Sequence, residues 1–261
     1  MELSNKTAIV CGCTKGIGQA IANLFAENGC NLILFARNEK ELLSMRQSFV
    51  EKYDIRVDCI VANFEDSKSV HFEIHRFLED TDMKVDILIN NVGGDGIALL
   101  KESSYETLQT SFNRHIIANH IIAMAVVSNM KKHNIKGKII NICSNTANSP
   151  YPYLGLYSIR TAEVGYMKAL AMELAQDRIS VNNVIPGATD TPGLNKLLHD
   201  LAQQDGMDME KLKDEIYSSI PFKRPANSSE IANIVLMLAS EKNSYMTGSC
   251  IKVDGGFNFT A

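Results

Sequence analysis

Short apolar runs rich in Val and Ile alternate along the chain with amphipathic stretches of helical period. The runs are TAIVCG, NLILFA, VDCIVA, VDILIN, KIINIC, SVNNVI and CIKV. Continuous apolar runs, as opposed to alternating ones, are typical of strands in a parallel sheet that is covered on both faces. Strand and helix in strict succession therefore predict an α/β fold with a doubly wound parallel sheet of about seven strands.

A single domain over residues 1–261 is predicted, because no Pro- or Ser-rich linker, repeat or low-complexity tract interrupts the chain. One helical, Leu- and Met-rich insertion breaks the rhythm at about 189–221. An insertion after a late strand lies near the carboxyl edge of such a sheet, where ligands bind, so we expect a lid. Its apolar positions predict either a medium-sized, partly apolar substrate or packing on the domain body; they are Leu194, Leu197, Leu198, Leu201, Met207 and Met209.

Composition and charge limit the kinds of partner that the protein is expected to bind. The net charge of −4 and the pI near 5.9 give no reason to expect nucleic acid. No apolar run reaches the roughly 18 residues of a membrane span, and the N-terminus lacks the features of a secretory signal, so we expect a cytoplasmic protein without a membrane partner. The six cysteines form no CxxC pair, which predicts neither a metal site nor a disulfide framework.

The segment IVCGCTKGIGQAIANLF places Gly12, Gly16 and Gly18 between the first predicted strand and the first predicted helix. A phosphate can approach a backbone closely only where side chains are missing, and the amides that open a helix carry partial positive charge. Glycines also cap and turn, so the triplet alone is weak evidence. Its place directly after a strand favours nucleotide binding.

Further motifs follow in order: NNVGG from Asn90, Ser144 and Tyr157 thirteen residues apart, PGATDT from Pro186, and TGSCIKVDGG. With CGCTKGIG they give the chain, over essentially its whole length, a resemblance to the short-chain dehydrogenase/reductase family, in particular to members of the 3-oxoacyl-ACP-reductase type. The resemblance implies a Rossmann-type sheet, a nicotinamide cofactor, and hydride transfer to or from a carbonyl or alcohol carbon.

The same resemblance implies which residues contact the cofactor. They are Gly12, Thr14, Lys15, Gly16, Ile17, Gly18, Arg37, Asn63, Phe64, Asn90, Val92, Gly93, Pro186, Gly187, Thr189 and Thr191. The second strand ends on Ala36, so no carboxylate stands there to repel a 2′-phosphate, and Arg37 can pair with one. With Lys15 in the glycine loop, this predicts NADP(H) over NAD(H); alternatively both cations are solvated surface groups. Thr191 precedes a proline and could equally serve ordinary turn chemistry.

In the family a tyrosine delivers the proton to the substrate oxygen and a serine binds that oxygen, roles that match Tyr157 and Ser144. A free phenol has a pKa of about 10, and the family lowers it with a lysine four residues on. Here that position is Thr161, which carries no charge. Arg160, at i+3, could supply a fixed positive charge instead, or could be an exposed surface arginine.

The family's fourth catalytic position, an asparagine, aligns with His115, or with Asn113 if the helix is shifted. A histidine there could hand protons to a water chain, or could be an exposed helix residue. We predict an NADP(H)-dependent oxidoreductase with a modified proton relay and a small-molecule substrate. The alternatives are non-redox chemistry on the same scaffold, such as isomerisation or dehydration, and a non-catalytic NADP(H)-binding protein.

We also expect a homo-oligomer, a tetramer or a dimer, from what the resemblance implies. The C-terminal VDGGFNFTA would help to form a tetramer. Two helices would build the dimer face: the long helix from roughly Tyr105 to His133 and the helix that begins at Tyr157. Their small or apolar positions are Ala118, Ile122, Ala125, Ala162, Gly165 and Ala169. The segment from Asn145 to Tyr153 is expected to line the substrate pocket.

Overall fold

The structure, a computed structural model, describes residues 2–147, 151 and 153–257. Part of the predicted pocket wall (148–150 and 152) and the last residues of the predicted tetramer segment (258–261) lie outside the described residues. The strands are β1 (Thr7–Cys11), β2 (Asn31–Ala36), β3 (Val57–Val61), β4 (Ile87–Asn91), β5 (Lys138–Ile142), β6 (Ser180–Pro186), β7 (Thr189–Asp190), β8 (Ala226–Asn227) and β9 (Cys250–Val253). Seven of them form a parallel sheet in the order β3-β2-β1-β4-β5-β6-β9. All seven predicted runs form the sheet, so the predicted fold class is confirmed.

Helices cover both faces of the sheet. They are α1 (Gly16–Glu27), α2 (Glu39–Lys52), α3 (Ser67–Thr81), α4 (Tyr105–Phe112), α5 (Ala118–Lys132), α6 (Ile159–Leu174), α7 (Pro192–Asp205), α8 (Met209–Ser219) and α9 (Ser228–Ala239). One core cluster joins the sheet to α1, α2 and α9, and the other joins it to α3, α5 and α6. This two-sided cover explains why the strands read as continuous apolar runs. In the part of the chain that the structure describes, no helix combines the length and apolarity needed to cross a bilayer.

The order in which the chain adds strands to the sheet reverses at β1. From β1 the chain proceeds outward through β2 to β3, then returns to the other side of β1 as β4. The loops that leave the carboxyl ends of β1 and β4 therefore diverge and leave a crevice, which is where open α/β sheets bind their ligands. The glycine loop and the NNVGG segment lie at this edge.

A π-helical turn (Asn113–Ile117) joins α4 to α5, so the single long helix predicted around residues 105–133 has an irregular centre. The extra residue in such a turn rotates the helix face, and these turns are frequent at functional sites. Here the turn buries the side chain of His115 completely. The predicted alternative of an exposed helix histidine is therefore wrong.

The predicted insertion forms α7 and α8. The short strands β7 and β8 pair with each other and hold its two ends together. Leu198 on α7 is buried, and the other predicted apolar positions of the insertion are half-buried. These apolar positions are thus at least partly covered by the protein, and α7 packs against α8.

One expectation about the helix surfaces needs correction. Ala118, Ile122 and Ala125 are buried in the core between α5 and the sheet, so they are not available to a partner. Ala162 and Ala169 on α6 are exposed. The sequence could not separate these positions, because small residues suit a helix-to-sheet contact and a helix-to-helix contact equally well.

Candidate active site

The glycine loop has the backbone of a phosphate cradle. Gly12 and Gly16 have φ of 56° and 57°, a region that side chains disfavour, and a Cβ on Gly18 would collide with the Gly12 carbonyl oxygen. Asn91, at the end of β4, fixes the loop, because its Nδ2 donates to the carbonyl oxygens of Cys11 (3.2 Å) and Gly12 (3.1 Å). The N-cap residue of α1, Lys15, makes no side-chain bond to the first turn. The loop therefore presents backbone amides that no side chain caps. The role of Asn91 in supporting the loop was not predicted from the sequence.

The segment after β6 meets the glycine loop. A Cβ on Gly16 would lie 3.0 Å from the Thr191 methyl carbon. The Thr191 hydroxyl caps α7 by accepting from the Leu194 amide at 3.1 Å, which is the turn chemistry of the alternative interpretation. Thr189 donates to the Gly187 carbonyl at 3.0 Å, and Pro186 is the last residue of β6. These predicted cofactor residues therefore lie together at the crevice.

The two predicted cations come from different segments: Arg37 follows β2, and Lys15 lies in the glycine loop. Arg37 is exposed, and Lys15 is also exposed but pairs with Glu41 at 2.9 Å. Glu41 comes from the first turn of α2, and its hydrogen bond with Lys15 holds its pKa below the usual value. The Lys15 ammonium is thus shared with a carboxylate that sequence reasoning did not consider.

The remaining predicted contacts divide into exposed and buried positions. Asn63 is exposed, and its Oδ1 accepts from the Glu65 amide at 3.2 Å. Phe64 is buried, with its ring centroid 5.1 Å from that of Phe35, so it supports the site from within the core. Gly93 is exposed, and a Cβ there would meet nothing within 4 Å, which leaves open space above the end of β4.

Three asparagines form a buried row across the sheet, and the predicted cofactor residue Asn90 is one of them. Asn90, Asn141 and Asn183 lie in register on β4, β5 and β6 and are inaccessible to solvent. Asn141 Nδ2 donates to Asn183 Oδ1 at 3.0 Å. Within the described residues the Asn90 amide group has no hydrogen-bond partner. Asn90 therefore faces the interior of the protein and Gly93 faces the crevice.

Tyr157 lies at the mouth of α6, at the end of a 3₁₀ turn (Gly155–Ser158). Its hydroxyl donates to the Asp95 carbonyl oxygen at 2.6 Å, and a Cβ on Gly94 would collide with it. Burial and the Asp95 charge raise the pKa of Tyr157 to about 12, while the charges of Arg160 and Arg114 act to lower it. The phenol is therefore neutral at pH 7 and able to donate a proton.

Ser144 and Thr161 lie on two neighbouring segments, one that follows β5 and one at the start of α6. Ser144 follows β5, and its Oγ accepts from the Thr146 hydroxyl at 2.8 Å and from the Thr146 amide at 3.3 Å. Thr161 is exposed and donates to the Ala147 carbonyl at 2.8 Å. The Thr161 side chain therefore braces the segment that carries Ser144.

Comparison with known proteins places this geometry in a family. A family model described as enoyl-(acyl carrier protein) reductase matches residues 12–258. The chain is 33% identical to the 3-oxoacyl-[acyl-carrier-protein] reductase FabG of Chlamydia trachomatis, over 97% of this chain and 98% of that protein. The chain belongs to the short-chain dehydrogenase/reductase family.

Other relatives in this family are named for NADPH. The NADPH-dependent reductase BacG of Bacillus subtilis is 29% identical to this chain, over 97% of it and 98% of BacG. The crystal structure of L-sorbose reductase from Gluconobacter frateurii, complexed with NADPH and L-sorbose, superposes with a TM-score of 0.92 at 30% identity and covers 100% of both chains. The family assignment thus rests on sequence and on fold.

Arg160 lies in the interior of this short-chain dehydrogenase/reductase, next to the candidate site. Its side chain is buried, so the alternative of an exposed surface arginine is wrong. Nη2 donates to the Ile142 carbonyl at 2.7 Å, and Nη1 faces His115 Nδ1. Nε lies 2.9 Å from Glu163 Oε2, an ion-pair distance without hydrogen-bond alignment. The arginine thus joins α6 to β5 and to the π-helical turn.

His115 lies between Arg160 and Asp95. Because a guanidinium only donates, Nδ1 must accept from Arg160, and the protonated Nε2 donates to Asp95 Oδ2 at 3.1 Å. Burial and the Arg160 charge lower the pKa of His115 to about 4, although Asp95 opposes the shift. The imidazole is therefore neutral at pH 7, with both nitrogens engaged.

Sequence reasoning missed three polar residues that bond within the network around His115 and Arg160: Asp95, Asn119 and Glu163. Asn119 Nδ2 donates to the His115 carbonyl and to Glu163 Oε1, both at 2.9 Å. Glu163 is buried, and burial raises its pKa despite the neighbouring Arg160 charge. Its position at i+3 from Arg160, on the same face of α6, was the one signal in the sequence.

Proposed function

We propose that this chain is an NADP(H)-dependent oxidoreductase acting on the carbonyl or alcohol carbon of a medium-sized, partly apolar small molecule, with a proton relay that lacks the family lysine. The observation that carries the proposal is the position of Tyr157. A neutral, half-buried phenol lies against Gly94 beside the crevice that the glycine loop opens. A proton donor and a phosphate cradle thus share one edge of the sheet.

The residues at the crevice fit a dinucleotide. The backbone of Gly12, Gly16 and Gly18 leaves room for a pyrophosphate at the N-terminus of α1, and Gly93 leaves space further along. Arg37 is exposed directly after β2, where it can pair with a 2′-phosphate. When bound, the nicotinamide ring supplies or accepts the hydride. NADPH dependence in the names of the relatives supports the same cofactor.

The protein's own residues handle the proton. In the reductive direction Tyr157 donates its proton to the substrate oxygen, and Ser144 binds that oxygen. The charges of Arg160 and Arg114 take over part of the electrostatic task of the absent lysine, because both favour the phenolate that forms. Neither exchanges protons with water as a lysine does, so the phenol is reprotonated by another route.

The proposal is tested by a titration followed by a turnover assay. NADPH binding is measured by fluorescence, and NADPH oxidation is then followed with a 3-oxoacyl thioester, L-sorbose, simple ketones and conjugated enones. We expect NADPH binding and turnover of at least one carbonyl. Tight NADPH binding without any turnover would favour the non-redox or non-catalytic alternatives.

Replacing Arg37 by alanine is expected to weaken NADPH binding about 10- to 100-fold, because a charge-assisted hydrogen bond contributes about 1.5–3 kcal/mol. NADH lacks the 2′-phosphate, so its affinity should not change. Both dissociation constants are measured by fluorescence titration. Lys40→Ala, which removes an exposed cation nearby on α2, serves as the control. Equal losses for NADPH and NADH would contradict the assignment of Arg37.

Replacing Thr161 by lysine is expected to raise the turnover number at least about tenfold, since an ammonium beside the phenol restores a missing general-acid contribution. The measurement is the initial rate at saturating NADPH with the best carbonyl substrate. Ala162→Lys places the same charge on the neighbouring exposed position of α6 and should have little effect. An unchanged rate in Thr161→Lys would argue against an incomplete relay.

We further propose a homo-oligomer, a tetramer or a dimer, in the cytoplasm. The exposed positions Ala162 and Ala169 on α6 support a helix-to-helix contact. Light scattering of the purified protein measures its mass in solution. A monomer at micromolar concentration would contradict this proposal.

A further inference from the structure

Residues 92–96, which follow β4, are called the Asp95 loop. Three side chains hold this loop from one side. The Asp95 carboxylate accepts from Ser111 Oγ (2.7 Å), Arg114 Nη1 (2.7 Å) and His115 Nε2 (3.1 Å). All three donors lie on α4 or the π-helical turn, and Arg114 also donates to the Gly94 carbonyl at 3.2 Å. These bonds hold the pKa of the buried Asp95 carboxyl below its usual value, although burial opposes them. Asp95 is therefore a charged anchor inside the protein.

The other side of the loop touches the phenol. The Asp95 carbonyl oxygen accepts the Tyr157 hydroxyl, and the phenol leaves no room for a side chain on Gly94. The same residue thus holds the tyrosine through its backbone and the helix through its carboxylate. Any displacement of the carboxylate moves the acceptor of the phenolic proton.

A buried polar network continues inward from these bonds. His115 bonds to Arg160, Arg160 pairs with Glu163, and Glu163 accepts from Asn119. Each of these side chains is buried, so their positions are fixed by packing as well as by charge. The Asp95 loop therefore rests on a rigid support at one end and on the phenol at the other.

We propose that Asp95 is a positioning residue for Tyr157. Its carboxylate, held by Ser111, Arg114 and His115, fixes the loop carbonyl that accepts the phenolic hydrogen bond. This carbonyl keeps the hydrogen bond until a substrate oxygen replaces it. The inference rests on the proposed function in taking Tyr157 as the proton donor. No bond other than hydrogen bonds is made or broken in this step. The phenolic proton stays on Tyr157 while its acceptor changes.

Among the residues that the structure describes, three charged groups act on the phenol: Asp95 from the loop, Arg114 from the π-helical turn and Arg160 from α6. His115, which bonds to the Asp95 carboxylate, is neutral at pH 7. A neighbouring carboxylate disfavours the phenolate, and a neighbouring guanidinium favours it. Asp95→Asn should therefore ease ionisation of Tyr157, and Arg114→Gln should hinder it. A purely structural role for Asp95 predicts no such pair of opposite shifts.

The test uses the full chain labelled with 3-fluorotyrosine, whose phenol ionises at lower pH than tyrosine, and ¹⁹F NMR. The Tyr157 resonance is the one that Tyr157→Phe removes. We expect Asp95→Asn to raise the acid dissociation constant of this phenol about tenfold and Arg114→Gln to lower it, both with NADPH affinity unchanged. Arg114 is partly exposed, so its variant remains a test if Asp95→Asn does not fold.

Glu106→Gln is the matched control, because it removes one exposed carboxylate from α4 that is not among the side chains holding the Asp95 loop. Its Tyr157 titration should superpose on that of the unaltered protein. Titrations of Asp95→Asn and Arg114→Gln that also superpose on it would overturn the proposal. The resonance is observed without substrate, so this outcome is independent of the turnover assay that tests the proposed function.

Discussion

Replacing Tyr157 by phenylalanine is expected to slow carbonyl reduction by about 10² to 10⁴, the usual contribution of a positioned general acid. The ring and its packing against Gly94 are kept, and only the donor hydroxyl is lost. The dissociation constant of NADPH should change little, because the phosphate cradle lies on the other side of the crevice. Initial rates at saturating NADPH, together with a fluorescence titration, separate the two effects.

Tyr245→Phe provides the control for this prediction. Tyr245 precedes β9, and its side chain is fully exposed. Its removal should leave the rate within a few fold. If Tyr157→Phe also reduced carbonyls at nearly the unaltered rate, Tyr157 would not be the proton donor.

Arg160→Met is expected to lower the free energy of unfolding by about 3–5 kcal/mol, because it leaves Glu163 as a buried carboxylate without its counter-charge. It also removes the donor to His115 Nδ1. The double variant Arg160→Met/Glu163→Leu should recover part of the loss, since it removes the uncompensated carboxylate but leaves His115 Nδ1 and Asn119 Nδ2 without these partners. Urea unfolding of both variants measures the coupling.

The ion pair between Arg76 and Glu73 on α3 is the control for this cycle. Its partners are also three residues apart, but the Arg76 side chain is 57% exposed. Arg76→Met should cost less than about 1 kcal/mol, as expected for a surface pair. If Arg160→Met were no more destabilising than Arg76→Met, the buried pair would contribute nothing beyond a surface one.

The sequence was sufficient to predict the elements and the crevice. The strands of the seven-stranded sheet are mostly apolar runs because both faces of the sheet are covered, and this local signal needs no tertiary information. The glycine loop is also local, since Gly12, Gly16 and Gly18 lie within seven residues between a strand and a helix. These features could be predicted because neighbours in the chain determine them.

Polar partners distant in the chain could not be predicted in the same way. Glu41 reaches Lys15 across the turn between β2 and α2, and Asp95 reaches His115 through the π-helical turn. An irregular turn changes which side of a helix is buried, and its position is not written in the hydrophobic period. The burial of Arg160 likewise depends on Glu163 and His115 together, so a single residue gave an ambiguous signal.

The row of asparagines on β4, β5 and β6 has a consequence for folding. A slip of β5 by one residue would turn Asn141 away from Asn183 and bury its amide against the aliphatic layer on the opposite face of the sheet. An unpaired amide there costs on the order of 1–3 kcal/mol. Val- and Ile-rich strands are otherwise nearly interchangeable along their length, so the bond between Asn141 and Asn183 distinguishes the native pairing of β5 with β6 from its one-residue neighbours.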